Sequence, residues 1–401
     1  MNIQDFKFII ASGCSYATTL SSLEVKNLDV KLDTSDKLIF IEIGCASQSS
    51  DWAYDSVIYT LETLRTLGVK SENIYCFVEW TQIERVTITQ PTILHEFFNT
   101  NISKEKMFNE HFYIKSNVEN SNSILNKIYE VMNVRMLQDV HNIMSIENLW
   151  YLNPAHTDKN DILKFDNIDL EYAYKEMLEY ELRIPMETRV KSYLNNIINL
   201  QTYLKNNQIS YNFVPMQSQF SGWDFDSNYM HVHKYTLNQN RPAHVYNNKL
   251  KINNRFKETL NITHADDLVE VFPQFKYLIN QIDFTNWWFH KSDFYRYGGI
   301  DEYALETYGL YGYLTTEYDI RTILSEIDVT HICASFGYHP HAFIHTLLVN
   351  EMMFNNKFFK VSNETIDNIK NMVDEDINTK NRTKHNLSIS KIELQKYIEL
   401  I

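Results

Sequence analysis

Residues 6–15 read Phe6-Lys7-Phe8-Ile9-Ile10-Ala11-Ser12-Gly13-Cys14-Ser15, an apolar run that ends abruptly in small and polar side chains. Strands that are buried on both faces of a parallel sheet have this near-continuous apolar composition. The pattern recurs at 38–44 and 73–80, and apolar residues at helical spacing occupy 52–67 between them. This alternation predicts an α/β core with a parallel sheet and right-handed crossovers.

The later parts of the chain contain further elements of the same kind. Helical periodicity at 190–204 precedes an apolar strand at 209–216, and a strand at 331–336 precedes a helix at 342–353. We interpret the polar, Asn- and Tyr-rich remainder as insertions and a tail, with helices at 123–140, 170–182 and 390–401. The predicted organisation is a core at 1–91, a helical insertion at 92–189, a core return at 190–220, an aromatic-rich insertion at 221–329, a closing core segment at 330–360 and a C-terminal tail helix within 361–401.

Composition and charge exclude several classes of partner. The formal net charge of the 401 residues is -14 and no dense Lys/Arg run occurs, so we expect no nucleic-acid binding, which needs a basic face. No apolar run approaches the roughly 18 residues of a membrane span, and the first apolar run is too short for a signal peptide. We therefore expect no membrane partner and no export by the usual route. The cysteines are widely spaced and are expected to be reduced and buried: Cys14, Cys45, Cys76 and Cys333.

A serine and a histidine follow the first and last predicted strands. Ser15 comes two residues after Gly13, and His339 stands in Gly337-Tyr338-His339-Pro340. Parallel sheets bind ligands at the carboxyl ends of their strands, and a serine hydroxyl needs a neighbouring base to act as a nucleophile. The sequence therefore predicts that Ser15 and His339 meet at one edge of the sheet. The structural alternative is a serine that only caps the following helix.

The order of these two blocks resembles that of the SGNH (GDSL-type) hydrolase family. More narrowly, five blocks resemble the SGNH-like proteins of tailed phages. These blocks are Gly13-Cys14-Ser15-Tyr16, Gln48-Ser49-Ser50-Asp51-Trp52, Val78-Glu79-Trp80-Thr81-Gln82-Ile83-Glu84-Arg85, Gly298-Gly299-Ile300-Asp301-Glu302-Tyr303, and His339-Pro340 with His345. The resemblance covers about the first 90 residues, 194–220 and parts of 282–353. It implies a three-layer α/β/α, flavodoxin-like core with a parallel sheet, to which two large, mostly helical insertions and a C-terminal helical tail are added.

The resemblance also implies roles for individual residues. Ser15 is the expected nucleophile and His339 the expected base. The oxyanion of the intermediate is expected to be bound by Ser15, by Gly44 or Ser47, and by Thr81, since Trp80-Thr81 replaces the family's asparagine. No cofactor is implied. His339, His341 and His345 lack a standard ligand spacing, so we expect no metal site either.

The acid of a triad and the substrate contacts are less directly indicated. The family has an aspartate three residues before its histidine, where this chain has Phe336, so another carboxylate would have to substitute. The candidates for this acid are Asp301, Asp283 and Glu79. Candidate substrate-binding residues are Trp80, Arg85 and Tyr16. The cluster Trp287-Trp288-Phe289 is either a sugar platform or the small core of its insertion.

Three functions follow as hypotheses. The first is a serine esterase, most concretely an O-deacetylase acting on a surface polysaccharide and carried on a phage virion. The second is a structural protein of the particle, in tail, baseplate or capsid, that kept the fold and lost strong catalysis. The third is a sugar-binding module. The expected partners are other virion proteins or further copies of the chain, and the expected location is the virion after synthesis in the host cytoplasm.

Overall fold

The computed structural model describes residues 2–13, 20, 23, 29–44, 49–81, 83, 113–139, 185–216, 220, 272–291, 298–300, 303, 333–335, 339–340 and 342–379. The strands are β1 (Phe6–Gly13), β2 (Leu32–Asp33), β3 (Lys37–Gly44), β4 (Ile74–Trp80), β5 (Tyr113–Ser116), β6 (Ser210–Pro215), β7 (Cys333–Ser335), β8 (His339–Pro340) and β9 (Lys360–Val361). The helices are α1 (Ser50–Thr66), α2 (Asn122–Asp139), α3 (Met186–Asn206), α4 (Lys276–Ile279), α5 (Ala342–Met352) and α6 (Asn363–Thr379).

The largest sheet among the described residues has five strands in the order β5-β3-β1-β4-β6. β1, β3, β4 and β6 run parallel, and β5 pairs antiparallel with β3. The predicted α/β class is therefore confirmed, and the predicted parallel sheet is observed with one antiparallel strand, β5, at its edge. We call the side on which the parallel strands begin the amino edge and the side on which they end the carboxyl edge.

Helices cover both faces of this sheet, which explains why its strands are apolar on both faces. On β1, Phe8 and Ile10 belong to the core shared with α1, α2 and α3, whereas Ile9 and Ala11 belong to the core shared with α5. We call these two sides the α1 face and the α5 face. Alternation along each strand then fixes the face of every side chain.

The helix α1 connects the carboxyl edge of β3 to the amino edge of β4. The Ser49 hydroxyl accepts a hydrogen bond from the Trp52 backbone N–H, which caps the first turn, and Arg65 stands in the last turn, where a cation favours the helix dipole. Its apolar stripe, which includes Val57 and Leu61, is fully buried against the sheet. The start of α1 is therefore held at the carboxyl edge.

The helix α5 runs in the opposite direction to the parallel strands. Six residues after its last residue, the carbonyl oxygen of Phe358 accepts a hydrogen bond from Thr34, which precedes β3, and the Lys7 amine lies over the Phe358 ring near the start of β1. The C-terminal end of α5 is thus at the amino edge. A helix of this length spans about 16 Å, so its first residues lie toward the carboxyl edge.

Two segments predicted to be insertions contribute to this core. From 92–189, β5 extends the central sheet, and α2 packs on α1, with the Tyr59 hydroxyl donating to the Met132 carbonyl oxygen at 2.8 Å. From 221–329, Trp287 forms a parallel bridge with Phe213 of β6, so this segment lies along the other edge of the sheet. The core therefore extends further into both segments than the sequence indicated.

The end of the chain also differs from the prediction. The strand predicted at 331–336 is observed as β7, which pairs with β8 in a separate two-stranded sheet. In the segment predicted as a tail, β9 pairs with β2, and α6 packs Thr365 and Ile369 against the core. The helices predicted at 170–182 and 390–401 lie outside the described residues. No helix in the described ranges is long and apolar enough to cross a bilayer.

Candidate functional site at the carboxyl edge

The order of the strands identifies one point on the carboxyl edge. From β1, the chain builds the sheet first toward β3 on one side and then toward β4 and β6 on the other. In doubly wound sheets, ligands bind outside the carboxyl ends of the strands at such a reversal. Here the reversal lies between β1 and β4, where the last residues of the two strands are Gly13 and Trp80.

Gly13 is in close contact with Glu79 at this point. Ser12 pairs with Val78, so Gly13 and Glu79 lie side by side. A Cβ atom on Gly13 would lie 2.6 Å from Glu79 Oε2, 2.8 Å from Glu79 Cβ and 2.9 Å from the Glu79 carbonyl oxygen. The φ angle of Gly13 is +153°, in a region that favours glycine. Only glycine fits here without displacing Glu79, so the carboxylate lies directly against the backbone that leads to Ser15.

Two buried glutamates flank β1 on the α5 face. Glu79 is fully buried, and Glu42 on β3, opposite Ala11, is 5% exposed. Glu42 Oε2 accepts a hydrogen bond from the Leu20 backbone N–H at 2.9 Å. Buried carboxylates are costly unless they are hydrogen-bonded, so their presence on both neighbours of β1 is unusual for a purely apolar core. Sequence reasoning missed Glu42, although a lone charge inside the apolar run 38–44 is a recognisable signal.

The serine nearest to this point among the described residues has a structural role. The Ser12 hydroxyl lies 2.6 Å from the Ser56 hydroxyl of α1 and is fully buried on the α1 face. It therefore ties β1 to α1 and is not exposed to a ligand.

Trp80 does not fit its predicted role in substrate binding. Its side chain is fully buried on the α1 face, with ring centroids 5.9 Å from Tyr193 and 5.4 Å from Phe213, both edge to face. The reason is alternation: because Glu79 faces α5, its neighbour on the strand must face α1. Thr81, a predicted oxyanion donor, is also fully buried, and its hydroxyl donates to Met216 Sδ at 3.8 Å.

Asp283 does not fit its predicted role as a triad acid. Its carboxylate forms a 2.5 Å ion pair with Lys205, in the last turn of α3, and accepts hydrogen bonds from the Thr285 hydroxyl and backbone N–H. These bonds, first of all the one from Lys205, lower the pKa of Asp283 to about 2. Because α3 ends where β6 begins, this pair lies at the amino edge, on the opposite side of the sheet from the end of β1.

The aromatic cluster of the second insertion belongs to the core. Trp287 and Trp288 are each 5% exposed, and the Trp288 backbone N–H donates to the Phe213 carbonyl oxygen at 2.9 Å. Trp287 stacks on Phe289 with a centroid distance of 5.4 Å, and the Trp288 indole donates to Glu351 of α5. The two indoles pack on opposite faces of the sheet. The structure therefore supports a core role for this pair over a role as a sugar platform.

The structure describes only some of the remaining predicted site residues. Gly44 ends β3 and pairs with Gly13, so it stands at the carboxyl edge. The backbone of His339 forms β8, just ahead of the end of α5 that is remote from the amino edge. The others lie outside the described residues: Ser15, Tyr16, Ser47, Arg85 and Asp301.

Two further side chains with reactive groups, Cys76 and His345, are buried. Burial raises the pKa of the Cys76 thiol, which lies among apolar side chains of β4 and is a poor nucleophile there. His345 is buried in α5. Within the described ranges, no three His, Cys, Asp or Glu side chains are grouped closely enough to hold a metal ion.

Comparison with known proteins identifies no relative. No family model matches the chain, and neither the curated proteins nor the solved structures include a match.

Proposed function

We propose that this protein is a serine hydrolase of the SGNH type that cleaves ester bonds at the carboxyl edge of its sheet. The observation that carries the proposal is the contact between Gly13 and the buried carboxylate of Glu79 at the point where the strand order reverses. Gly13 stands two residues before the serine of the motif and has a backbone conformation and a close approach to Glu79 that only glycine allows.

The strand order supports the finer fold assignment. Along the sheet, the four parallel strands are the second, first, third and fourth in the chain, which is the order with which flavodoxin-like sheets begin. The direction of α5 supports the pairing of the two catalytic residues, because His339 precedes the end of α5 that is remote from the amino edge. Ser15, two residues beyond Gly13, follows the carboxyl edge.

In the proposed reaction, Ser15 Oγ attacks the ester carbonyl carbon while His339 takes the hydroxyl proton. Backbone N–H groups of Ser15 and of Gly44 or Ser47 stabilise the oxyanion. The intermediate collapses as His339 gives the proton to the leaving alcohol, and an acyl-serine remains. Water, deprotonated by His339, then releases the carboxylic acid and restores Ser15.

Glu79 is the acid that we favour for orienting His339. Of the three candidates, Asp283 is bound to Lys205 at the amino edge, Asp301 lies outside the described residues, and Glu79 stands beside the end of β1. We further propose, from the resemblance alone, that the substrate is an O-acylated surface polysaccharide and that the protein is part of a phage virion.

The alternative is a structural virion protein that kept the fold without catalysis. The burial of Trp80 and Thr81 favours it, because the end of β4 then offers neither of these side chains to an oxyanion. Loss of one such side-chain donor costs about 100- to 1000-fold in rate in enzymes that use it.

The test is labelling by a serine-reactive fluorophosphonate, with the modified residue identified by mass spectrometry. The proposal predicts labelling of Ser15, its loss in Ser15→Ala, and a parallel loss of p-nitrophenyl acetate hydrolysis. Ser12→Ala is the matched control, because Ser12 is a serine of the same strand whose hydroxyl is buried against Ser56. It should label like the wild type. No labelling of Ser15 in the folded wild type would reject the esterase and favour the structural role.

A further inference from the structure

We infer that Glu42 is a positioning residue for Ser15 that acts by fixing Leu20 to β3, an inference that rests on the proposed function. The segment 14–19 connects the end of β1 to Leu20. At Leu20 the backbone N–H donates to Glu42 Oε2 at 2.9 Å, and the Leu20 side chain is 1% exposed within the core of the α5 face. Both ends of the segment are therefore fixed.

The anchored residues on the two sides of the segment are Gly13 and Leu20. At one end, Gly13 is held by its pairing with Gly44 and by its contact with Glu79. At the other, Leu20 is held by a carboxylate of β3, the strand on the other side of β1 from β4. Gly13 and Leu20, which stand on either side of the segment that includes the nucleophile, are thus both fixed to β3, the first by backbone pairing and the second by the Glu42 carboxylate. Neither contact needs a residue of the segment itself.

The position of Glu42 on β3 connects this anchor to the oxyanion donors. Glu42 lies two residues before Gly44 and five before Ser47, the two candidates for a backbone donor. A shift of Leu20 relative to β3 would therefore move Ser15 relative to those amides. Misplacement of a reacting group by about 1 Å reduces rates by on the order of 100-fold.

The chemistry of the anchor explains why it is a carboxylate. A backbone N–H buried in the α5-face core must have an acceptor, and an ionised acceptor binds it more strongly than a neutral one. Glu42 supplies that acceptor from within an otherwise apolar strand, since Leu38, Phe40 and Glu42 point to the same face. A leucine at this position would fill similar space and leave the Leu20 N–H without this acceptor.

The experiment compares second-order rates of fluorophosphonate labelling at Ser15 in the full-length chain. Glu42→Leu should label about 10- to 100-fold more slowly than the wild type, and Glu42→Gln, which keeps an acceptor oxygen, should recover most of the rate. Asn356→Leu is the matched control: it removes a buried side-chain acceptor of a backbone N–H, that of Phe358, in the chain that follows α5 to the amino edge. Its labelling rate should equal that of the wild type.

The outcomes separate the inference from the proposed function. If the wild type is labelled and Glu42→Leu is labelled at the same rate, the role of Glu42 is overturned and the hydrolase proposal stands. The same conclusion follows if Glu42→Gln and Glu42→Leu lose equal fractions of the labelling rate. An unlabelled wild type would overturn the hydrolase and this inference together. If Glu42→Leu does not fold, Glu42→Asp replaces it in the comparison, because it withdraws the carboxylate by one methylene. Glu42→Asp should then label more slowly than Glu42→Gln. The reverse order of rates would refute the positioning role of Glu42.

Discussion

Substitution of Gly13 by alanine tests the geometry of the carboxyl edge. The φ angle of +153° is accessible to alanine only with strain, which costs about 1–3 kcal/mol. The new Cβ would also lie 2.6 Å from Glu79 Oε2 and 2.9 Å from the Glu79 carbonyl oxygen, and the second of these atoms belongs to the backbone of β4 and cannot turn away. Overpacking of this kind costs a further 1–3 kcal/mol or so. We therefore expect Gly13→Ala to lower the free energy of unfolding by about 2–6 kcal/mol.

The assay is unfolding in guanidinium followed by tryptophan fluorescence, with Gly68→Ala as the matched control. Gly68 also has a positive φ, +82°, but a Cβ there would meet only Gln4 Nε2 at 3.4 Å, an ordinary contact. Its substitution should cost about 1–2 kcal/mol, from backbone strain alone. The excess cost of Gly13→Ala over Gly68→Ala then reports the contact with Glu79 together with any difference in backbone strain between the two positions. A Gly13→Ala variant as stable as Gly68→Ala would refute the close approach of Glu79 to β1.

Three further predictions concern residues whose expected roles the structure revised or left unassigned. Trp80→Ala should lower the free energy of unfolding by about 3–5 kcal/mol, because a buried indole that packs on Tyr193 is lost. Unfolding in guanidinium measures this cost, and a value below about 1 kcal/mol would indicate an exposed side chain. Asp283→Asn should destabilise the protein at neutral pH, because the Lys205 hydrogen bond holds the pKa of Asp283 at about 2. Because the pKa of Asp283 is lower in the folded protein than in the unfolded chain, the stability that its carboxylate contributes is complete above the unfolded pKa and is lost as the pH falls toward 2. The difference in the free energy of unfolding between the wild type and Asp283→Asn should therefore shrink over that pH interval. A difference that stays constant with pH would contradict the assignment. Cys76, whose thiol pKa is raised by burial, should resist iodoacetamide in the native protein and react after unfolding. Mass spectrometry that finds Cys76 alkylated before unfolding would show that β4 is accessible to the reagent.

The central strands could be predicted because burial on both faces leaves a simple signal in the sequence. The apolar runs at 6–11, 38–44 and 73–80 correspond to β1, β3 and β4, with boundaries that differ by at most two residues. The helix predicted at 190–204 also lies within α3. In each case the local pattern and the tertiary environment agree, since helices cover both faces of the sheet.

The strand β5 and the helix α6 could not be predicted in the same way. β5 has four residues, Tyr113-Ile114-Lys115-Ser116, with an apolar side chain next to a lysine, and such a short edge strand resembles a loop in sequence. In α6, the helix begins in a polar segment, and fully buried Ile369 is flanked by charged and amide side chains. Tertiary contacts with β3 and with the core, rather than local composition, determine both elements.

In the candidate site as well, the local sequence indicates some features and tertiary contacts determine the others. Glu79 is one of the three candidate acids that the sequence offers, and Gly13 belongs to the serine motif. The burial of Trp80 follows from alternation once Glu79 is assigned to the α5 face, but sequence alone gives no face for either residue. The role of Glu42 depends on the backbone of Leu20, which is 22 positions away and has no signature in the sequence.

The decisive experiment is a crystal structure of the protein after reaction with a fluorophosphonate. We expect phosphorus bonded to Ser15 Oγ, with a His339 ring nitrogen within about 3.2 Å of an oxygen of the adduct. An adduct on another residue, or a His339 imidazole in a different region of the molecule from Ser15, would contradict this expectation.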